Sequence, residues 1–120
     1  KGVPVIPYGI EEIKLRNNNS IWVRNFPDRN EIITKKVLNK TKKLLRAVID
    51  EGTGIRISQI PFNIIGKTGT SQRNRDAWFL GCAKNHVVGV WLGRDDDQSM
   101  KNIFGSTLPL KIFSDAILKL

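Results

Sequence analysis

Cysteine and histidine are nearly absent from this chain, which has one of each, Cys82 and His86. A single cysteine excludes an internal disulfide, and its place among apolar strand residues favours core packing. Any triad of serine, histidine and aspartate would have to use His86, which directly follows a predicted hairpin turn and is better interpreted as a surface or pairing residue. No apolar run approaches the roughly 20 residues that cross a bilayer. A membrane anchor is therefore expected only upstream of Lys1.

Acidic residues are also few, with 11 Asp and Glu against 20 Lys and Arg and a formal net charge of +9. Such an excess suits polyanions such as nucleic acid, anionic lipid or wall polymer. No aromatic-basic stacking motif or zinc-finger spacing accompanies the charge, so nucleic-acid binding is not expected. The acidic run at residues 95–97 lacks the spaced ligands and the glycine of a calcium loop and is interpreted as a solvated loop. The sequence predicts no metal and no cofactor.

The hydrophobic pattern predicts both helices and strands within one small domain. Apolar residues at spacings of three and four predict a helix over residues 34–51, with Thr34 as its cap and Gly52 in the left-handed conformation at its end. A closing helix is predicted over residues 108–120. Strands are predicted as a hairpin within 3–16 and 20–24, and at 62–70, 76–83 and 86–93. The predicted fold class is α+β, a five-stranded antiparallel sheet with the helices packed on one face.

The most informative motif ends the predicted strand at 62–70 and consists of Lys67, Thr68, Gly69 and Thr70. It is followed by the runs DAWFLG at 76–81 and VVGVWLG at 87–93, and flanked by EGTG at 51–54 and GSTLP at 105–109. Together these segments closely resemble the C-terminal part of the transpeptidase domain of class A penicillin-binding proteins. The resemblance covers most of the chain from residue 33 onward. It implies part of the fold shared by penicillin-binding proteins and serine β-lactamases.

The resemblance also implies an activity, that of a peptidoglycan D,D-transpeptidase. In that family a serine attacks the penultimate carbonyl of a stem peptide ending in D-Ala-D-Ala, D-Ala leaves, and a neighbouring amine accepts the acyl group. β-Lactams acylate the same serine, so stem peptides and β-lactams are the implied partners. The implied location is the periplasmic face of the inner membrane. An N-terminal membrane helix and a glycosyltransferase domain would precede the transpeptidase.

By matched position, the resemblance implies catalytic roles for Lys67 and Thr70 and substrate binding by Thr68, Gly69 and Thr70. Lys67 would hold a positive field over the pocket, and the hydroxyls of Thr68 and Thr70 would bind the substrate carboxylate. Gly69 would let an extended substrate lie against the strand. The backbone N–H of Thr70 would join that of the nucleophile in an oxyanion hole.

The other two motifs of the family, S-x-x-K and S-x-N, are not found in these 120 residues. We therefore expect residues 1–120 to be the C-terminal portion of a single, incomplete transpeptidase domain, inactive alone and partnered by the N-terminal half of that domain. A natural short product without the catalytic half is an alternative. So are a basic, non-catalytic binding module on a transpeptidase-derived scaffold and a fragment related to serine β-lactamases. The run at 76–81 favours the synthetic enzymes over the last of these.

Overall fold

The computed structural model describes residues 2–120, and the chain divides into two compact units, Lys1–Asn39 and Lys40–Leu120. In the first unit, β1 (Glu12–Lys14) pairs antiparallel with β2 (Ser20–Val23). Asn18 takes a left-handed φ of 65° in the turn between them, a conformation that asparagine tolerates well. The predicted hairpin is confirmed, but its strands are shorter than the predicted runs and all their residues are exposed.

The first helix, α1 (Lys35–Asp50), begins and ends within one residue of the predicted range. Thr34 caps it as predicted, since the Val37 N–H donates to Thr34 Oγ1 at 3.4 Å. The prediction for Gly52 is wrong, because its φ is not in the left-handed region. Glycine is required there for space, since a Cβ would lie 2.9 Å from both the Cα and the carbonyl oxygen of Val48.

The second unit contains a three-stranded antiparallel sheet of β3 (Ile65–Thr70), β4 (Asp76–Ala83) and β5 (His86–Gly93), in the order β3-β4-β5. The turn between β4 and β5 has left-handed φ angles at both central residues, as a tight hairpin requires. The closing helix, α2 (Leu108–Lys119), packs against β4 and β5. The α+β class is confirmed, with the five strands divided between sheets of two and three rather than joined in one.

The core lies on one face of this second sheet. Along β4, alternate residues from Ala77 to Ala83 are buried, with Phe79 and Gly81 between them, while Trp78, Leu80 and Cys82 point to the other face. The ring of Phe79 meets that of Phe113 in α2 edge-on, with centroids 4.7 Å apart. Ile49 of α1 belongs to the same buried cluster. Both helices therefore contribute to one core, and β3 is left with one unpaired edge.

Ile117→Val is expected to lower the free energy of unfolding by about 0.5–1.5 kcal/mol, because a buried methylene is lost. The Ile117 side chain is fully buried, whereas Ile112 on the same helix is 38% exposed. Ile112→Val deletes the same group without changing β-branching, and is expected to cost about 0.5 kcal/mol or less. Urea unfolding of both variants measures the difference. Equal losses would contradict the position of Ile117 in the core.

Candidate active site

The unpaired edge of β3 is the central feature of the candidate site. The Ser71 N–H donates to the Asp76 carbonyl at 3.0 Å, and this pair continues the register in which Thr70 lies opposite Ala77. Opposed residues in an antiparallel pair alternate between hydrogen-bonded and non-hydrogen-bonded. Lys67 and Gly69 therefore bond to β4 through their peptide groups. The peptide groups of Thr68 and Thr70 point instead to the free edge.

Lys67 brings an ammonium group to this edge. Lys67 is paired with Leu80 of β4, and its side chain projects from the face of the sheet that is turned away from the core. The side chain is exposed. The Nζ atom then turns back to the strand, 3.0 Å from the Thr68 carbonyl oxygen and 3.4 Å from Thr68 Oγ1. Because these contacts are on the solvent side, the same ammonium remains accessible to an incoming anion.

Thr68 is tied to the turn that follows α1. Its side chain lies on the core face and is half-buried. The Thr68 Oγ1 atom is 2.7 Å from Thr53 Oγ1, a hydrogen bond between hydroxyls 15 residues apart. The sequence singles out residues 51–54 only as a segment of family resemblance. No residue pattern around Thr53 in the sequence predicts that this side chain contacts the motif strand.

Thr70 is held from the other side by the loop that precedes α2. The Gly105 N–H donates to Thr70 Oγ1 at 3.1 Å. A Cβ at position 105 would lie 2.3 Å from the Trp78 carbonyl oxygen and 2.6 Å from that of Gly69, so only glycine allows this approach. The Thr70 hydroxyl accepts one internal bond and keeps its own hydrogen for a ligand. Sequence reasoning missed this contact.

Gly69 lies between the two threonines and opposite Trp78. An added Cβ would stand 3.2 Å from the Trp78 Cβ, which is tighter than ordinary contact. Glycine leaves no side chain on this face of the strand next to Trp78. The four motif residues thus bring together a cation, two hydroxyls and the unpaired N–H groups of Thr68 and Thr70 on one strand.

The acidic run that follows β5 contacts neighbouring arginines. Arg75 Nη1 lies 2.6 Å from Asp97 Oδ2, and Arg94 makes a hydrogen-bonded ion pair with Asp96. The bond from Arg94, with a smaller contribution from the Gln98 N–H, lowers the pKa of Asp96 to about 2. Across residues 2–120, no three His, Cys, Asp or Glu side chains are grouped as a metal site.

The remaining candidates lie away from this edge. His86 is exposed at the start of β5, with Nδ1 3.0 Å from the Lys84 carbonyl oxygen, at the opposite end of the sheet from Thr70. Cys82 is half-buried on β4. Within residues 2–120, neither helix has the length and apolar character needed to cross a membrane.

Comparison with known proteins finds relatives among the penicillin-binding proteins. No protein-family model matches the chain. Over 115 residues it is 36% identical to penicillin-binding protein 1A of Aquifex aeolicus, an alignment that covers 95% of this chain and 16% of that relative. The chain thus spans about one sixth of the length of this relative.

Two solved structures share the fold. The crystal structure of penicillin-binding protein 1A from Haemophilus influenzae superposes with a TM-score of 0.78 at 22% identity, over 96% of this chain and 24% of that one. The D,D-transpeptidase domain of a peptidoglycan glycosyltransferase from Eggerthella lenta gives a TM-score of 0.69 at 19% identity, over 98% and 29% of the two chains. These TM-scores establish a common fold. With the Aquifex aeolicus relative, they confirm the resemblance inferred from the sequence.

Proposed function

We propose that this chain, which belongs to the class A penicillin-binding protein family, supplies the substrate-binding strand of a peptidoglycan D,D-transpeptidase site. The observation that carries the proposal is the free edge of β3. There the Lys67 ammonium reaches the Thr68 carbonyl oxygen and Thr68 Oγ1, and the Thr70 N–H is unpaired. The hydroxyls of Thr68 and Thr70 leave the core face of the same strand, next to this edge. These are the groups needed to bind a peptide that ends in a carboxylate.

The stem peptide binds in extended form along this edge, as an added strand that uses the free peptide groups of β3. Its terminal carboxylate accepts hydrogen bonds from Lys67 and from the hydroxyls of Thr68 and Thr70. This arrangement fixes the penultimate carbonyl near the Thr70 N–H. The strand therefore positions the donor peptide and supplies part of its charge stabilisation.

The reaction itself needs a serine from another segment of the complete enzyme. The serine oxygen attacks the penultimate carbonyl, and the Thr70 N–H with the N–H of that serine stabilises the negative oxygen of the tetrahedral intermediate. The bond to D-Ala then breaks, leaving an acyl-serine and a free D-Ala amine. The amine of a neighbouring stem peptide attacks the carbonyl of the acyl-serine, the bond to the serine oxygen breaks, and the crosslink forms as the serine hydroxyl is regenerated. A β-lactam, whose ring amide is opened by the same serine, stops at the acyl-enzyme.

We propose that residues 1–120 form the C-terminal portion of this domain. The face of the sheet opposite the core leaves Trp78, Leu80 and Trp91 about half exposed, and the rings of the two tryptophans are 6.1 Å apart. Exposed apolar faces of this kind favour burial against another surface. The part of the domain that carries the serine is proposed to pack against this face of the sheet. The location proposed for the whole enzyme is the periplasmic face of the inner membrane, held by an upstream anchor beside a glycosyltransferase domain.

The 120-residue chain alone is expected to form no covalent adduct with a β-lactam, because Lys67 and the threonines bind and polarise the ligand but no activated nucleophile accompanies them. Intact-mass analysis after incubation with benzylpenicillin tests this expectation. The positive control is a hybrid enzyme in which this chain replaces the matching region of the Aquifex aeolicus relative. The hybrid should gain the mass of one β-lactam. A stoichiometric adduct on the isolated chain would show that the nucleophile lies within residues 1–120.

A further inference from the structure

We infer that Thr53 is a positioning residue that orients the Thr68 hydroxyl for carboxylate recognition, an inference that rests on the function proposed above. The hydrogen bond between Thr53 Oγ1 and Thr68 Oγ1, at 2.7 Å, is the only side-chain hydrogen bond described between the turn at 51–54 and the motif strand. Thr53 itself is exposed, so its hydroxyl is not needed to satisfy a buried group. Its contact with the motif calls for a functional explanation.

The direction of this hydrogen bond follows from counting donors and acceptors. A threonine hydroxyl has one hydrogen to donate and two lone pairs that accept. The Lys67 ammonium can only donate, and its Nζ lies 3.4 Å from Thr68 Oγ1, so it occupies one lone pair. If Thr68 donated to Thr53, it would have no hydrogen left for a carboxylate, which only accepts. Recognition of the carboxylate by Thr68 therefore requires that Thr53 donate.

With Thr53 as donor, both lone pairs of Thr68 Oγ1 accept hydrogen bonds. The hydroxyl hydrogen of Thr68 then points away from Thr53 and Lys67 and is available to the ligand. Two donors on one oxygen also polarise its O–H bond, so that Thr68 becomes a stronger donor to the carboxylate. The chain of hydrogen bonds runs from Thr53 to Thr68 to the ligand. Without the Thr53 hydroxyl, the Thr68 hydroxyl would rotate among several partners and lose this orientation.

The local backbone fixes Thr53 in position. The Gly54 N–H donates to the Val48 carbonyl at 2.8 Å, which closes the turn after α1. A Cβ on Gly54 would lie 2.7 Å from Ile49 Cδ1, and a Cβ on Gly52 would lie 2.9 Å from the Val48 backbone. Glycines on both sides therefore let the turn fold tightly against the helix. Thr53 is presented to β3 at the tip of a constrained segment rather than on a loose loop.

The test uses the hybrid enzyme and separates binding from chemistry. Thr53→Val removes the hydroxyl and keeps the side-chain shape, whereas Thr53→Ser keeps the hydroxyl. With benzylpenicillin, Thr53→Val is expected to weaken the pre-acylation binding constant about tenfold, with little change in the limiting acylation rate. Thr53→Ser should stay within about twofold. With the methyl ester of benzylpenicillin, which lacks the carboxylate, Thr53→Val should have almost no effect.

Each outcome decides the inference. An unchanged binding constant in Thr53→Val would overturn it, as would an equal loss with benzylpenicillin and its ester, since a purely structural role affects both ligands. Thr53→Ala provides a second hydroxyl-free variant if valine disturbs the turn, and thermal melting checks that each variant is folded. A folded, unsubstituted hybrid that reacts with neither ligand would overturn the proposed function itself, and with it this inference.

Discussion

Lys67→Ala in the hybrid enzyme is expected to slow acylation by benzylpenicillin about 100- to 1,000-fold. The Lys67 Nζ lies at the free edge of β3, 3.0 Å from the Thr68 carbonyl oxygen, where it can reach a bound carboxylate. Alanine removes a charge-assisted hydrogen bond and the positive field near the developing oxyanion, and losing one such group in a dehydrated site typically has an effect of this size. Stopped-flow or quenched labelling gives the second-order rate constant.

The matched control for this substitution is Lys111→Ala. Lys111 is exposed on α2 and pairs with Asp115 in the next helical turn, an interaction worth little at a solvated surface. Its removal lowers the net charge by the same amount and should change acylation less than about twofold. If Lys67→Ala had no larger effect than Lys111→Ala, the contribution of Lys67 would be general charge rather than a specific position at the strand edge.

Thr70→Pro is expected to cause the larger loss of the two substitutions at position 70. Thr70→Ala deletes the hydroxyl that accepts the Gly105 N–H and donates to the substrate, and should cost about 1–2 kcal/mol in acylation. Thr70→Pro also deletes the N–H proposed for the oxyanion hole, which should cost a further 3 kcal/mol or so, roughly 100-fold. Acylation rates of both variants with one β-lactam give the comparison.

The orientation of the Thr70 peptide group makes this comparison informative. Its N–H faces the free edge rather than β4, so proline there removes no hydrogen bond of the sheet. Circular dichroism and melting should show both variants folded, with some added distortion in the proline variant. Equal acylation losses in folded Thr70→Ala and Thr70→Pro would mean that the Thr70 N–H does not stabilise the oxyanion.

Local features of the fold were predictable because their causes are local. The strands β4 and β5 have the predicted bounds, since two apolar runs separated by a two-residue turn define them. The helix α1 begins at its cap, Thr34, as expected. The division of five strands into two sheets was not predictable in this way, because hydrophobic alternation shows that a strand exists and not which strand it pairs with. The residues of β1 and β2 are all exposed and do not show which other strand they would pair with.

In the candidate site, too, the features that depend on local sequence were predictable and the contacts between distant residues were not. The motif at 67–70 was identifiable from its residue types and from the strand that it ends. Its two supports come from Thr53 and Gly105, which are 15 and 35 residues from their partners in sequence. In the sequence, Gly105 was identified only as the first residue of the segment GSTLP, which resembles the family and precedes the last helix. That it fits between the backbones of Gly69 and Trp78 depends on how the loop crosses the sheet.

The most direct test of the central claim, that this chain supplies the substrate-binding strand of a transpeptidase, is fluorescent penicillin labelling of the hybrid enzyme. The hybrid, the unaltered Aquifex aeolicus relative and that relative with the matching region deleted are labelled side by side, after melting curves establish that the hybrid is folded. The account predicts covalent labelling of the hybrid close to one penicillin per molecule, and none in the deleted form. A folded hybrid that stays unlabelled would contradict it.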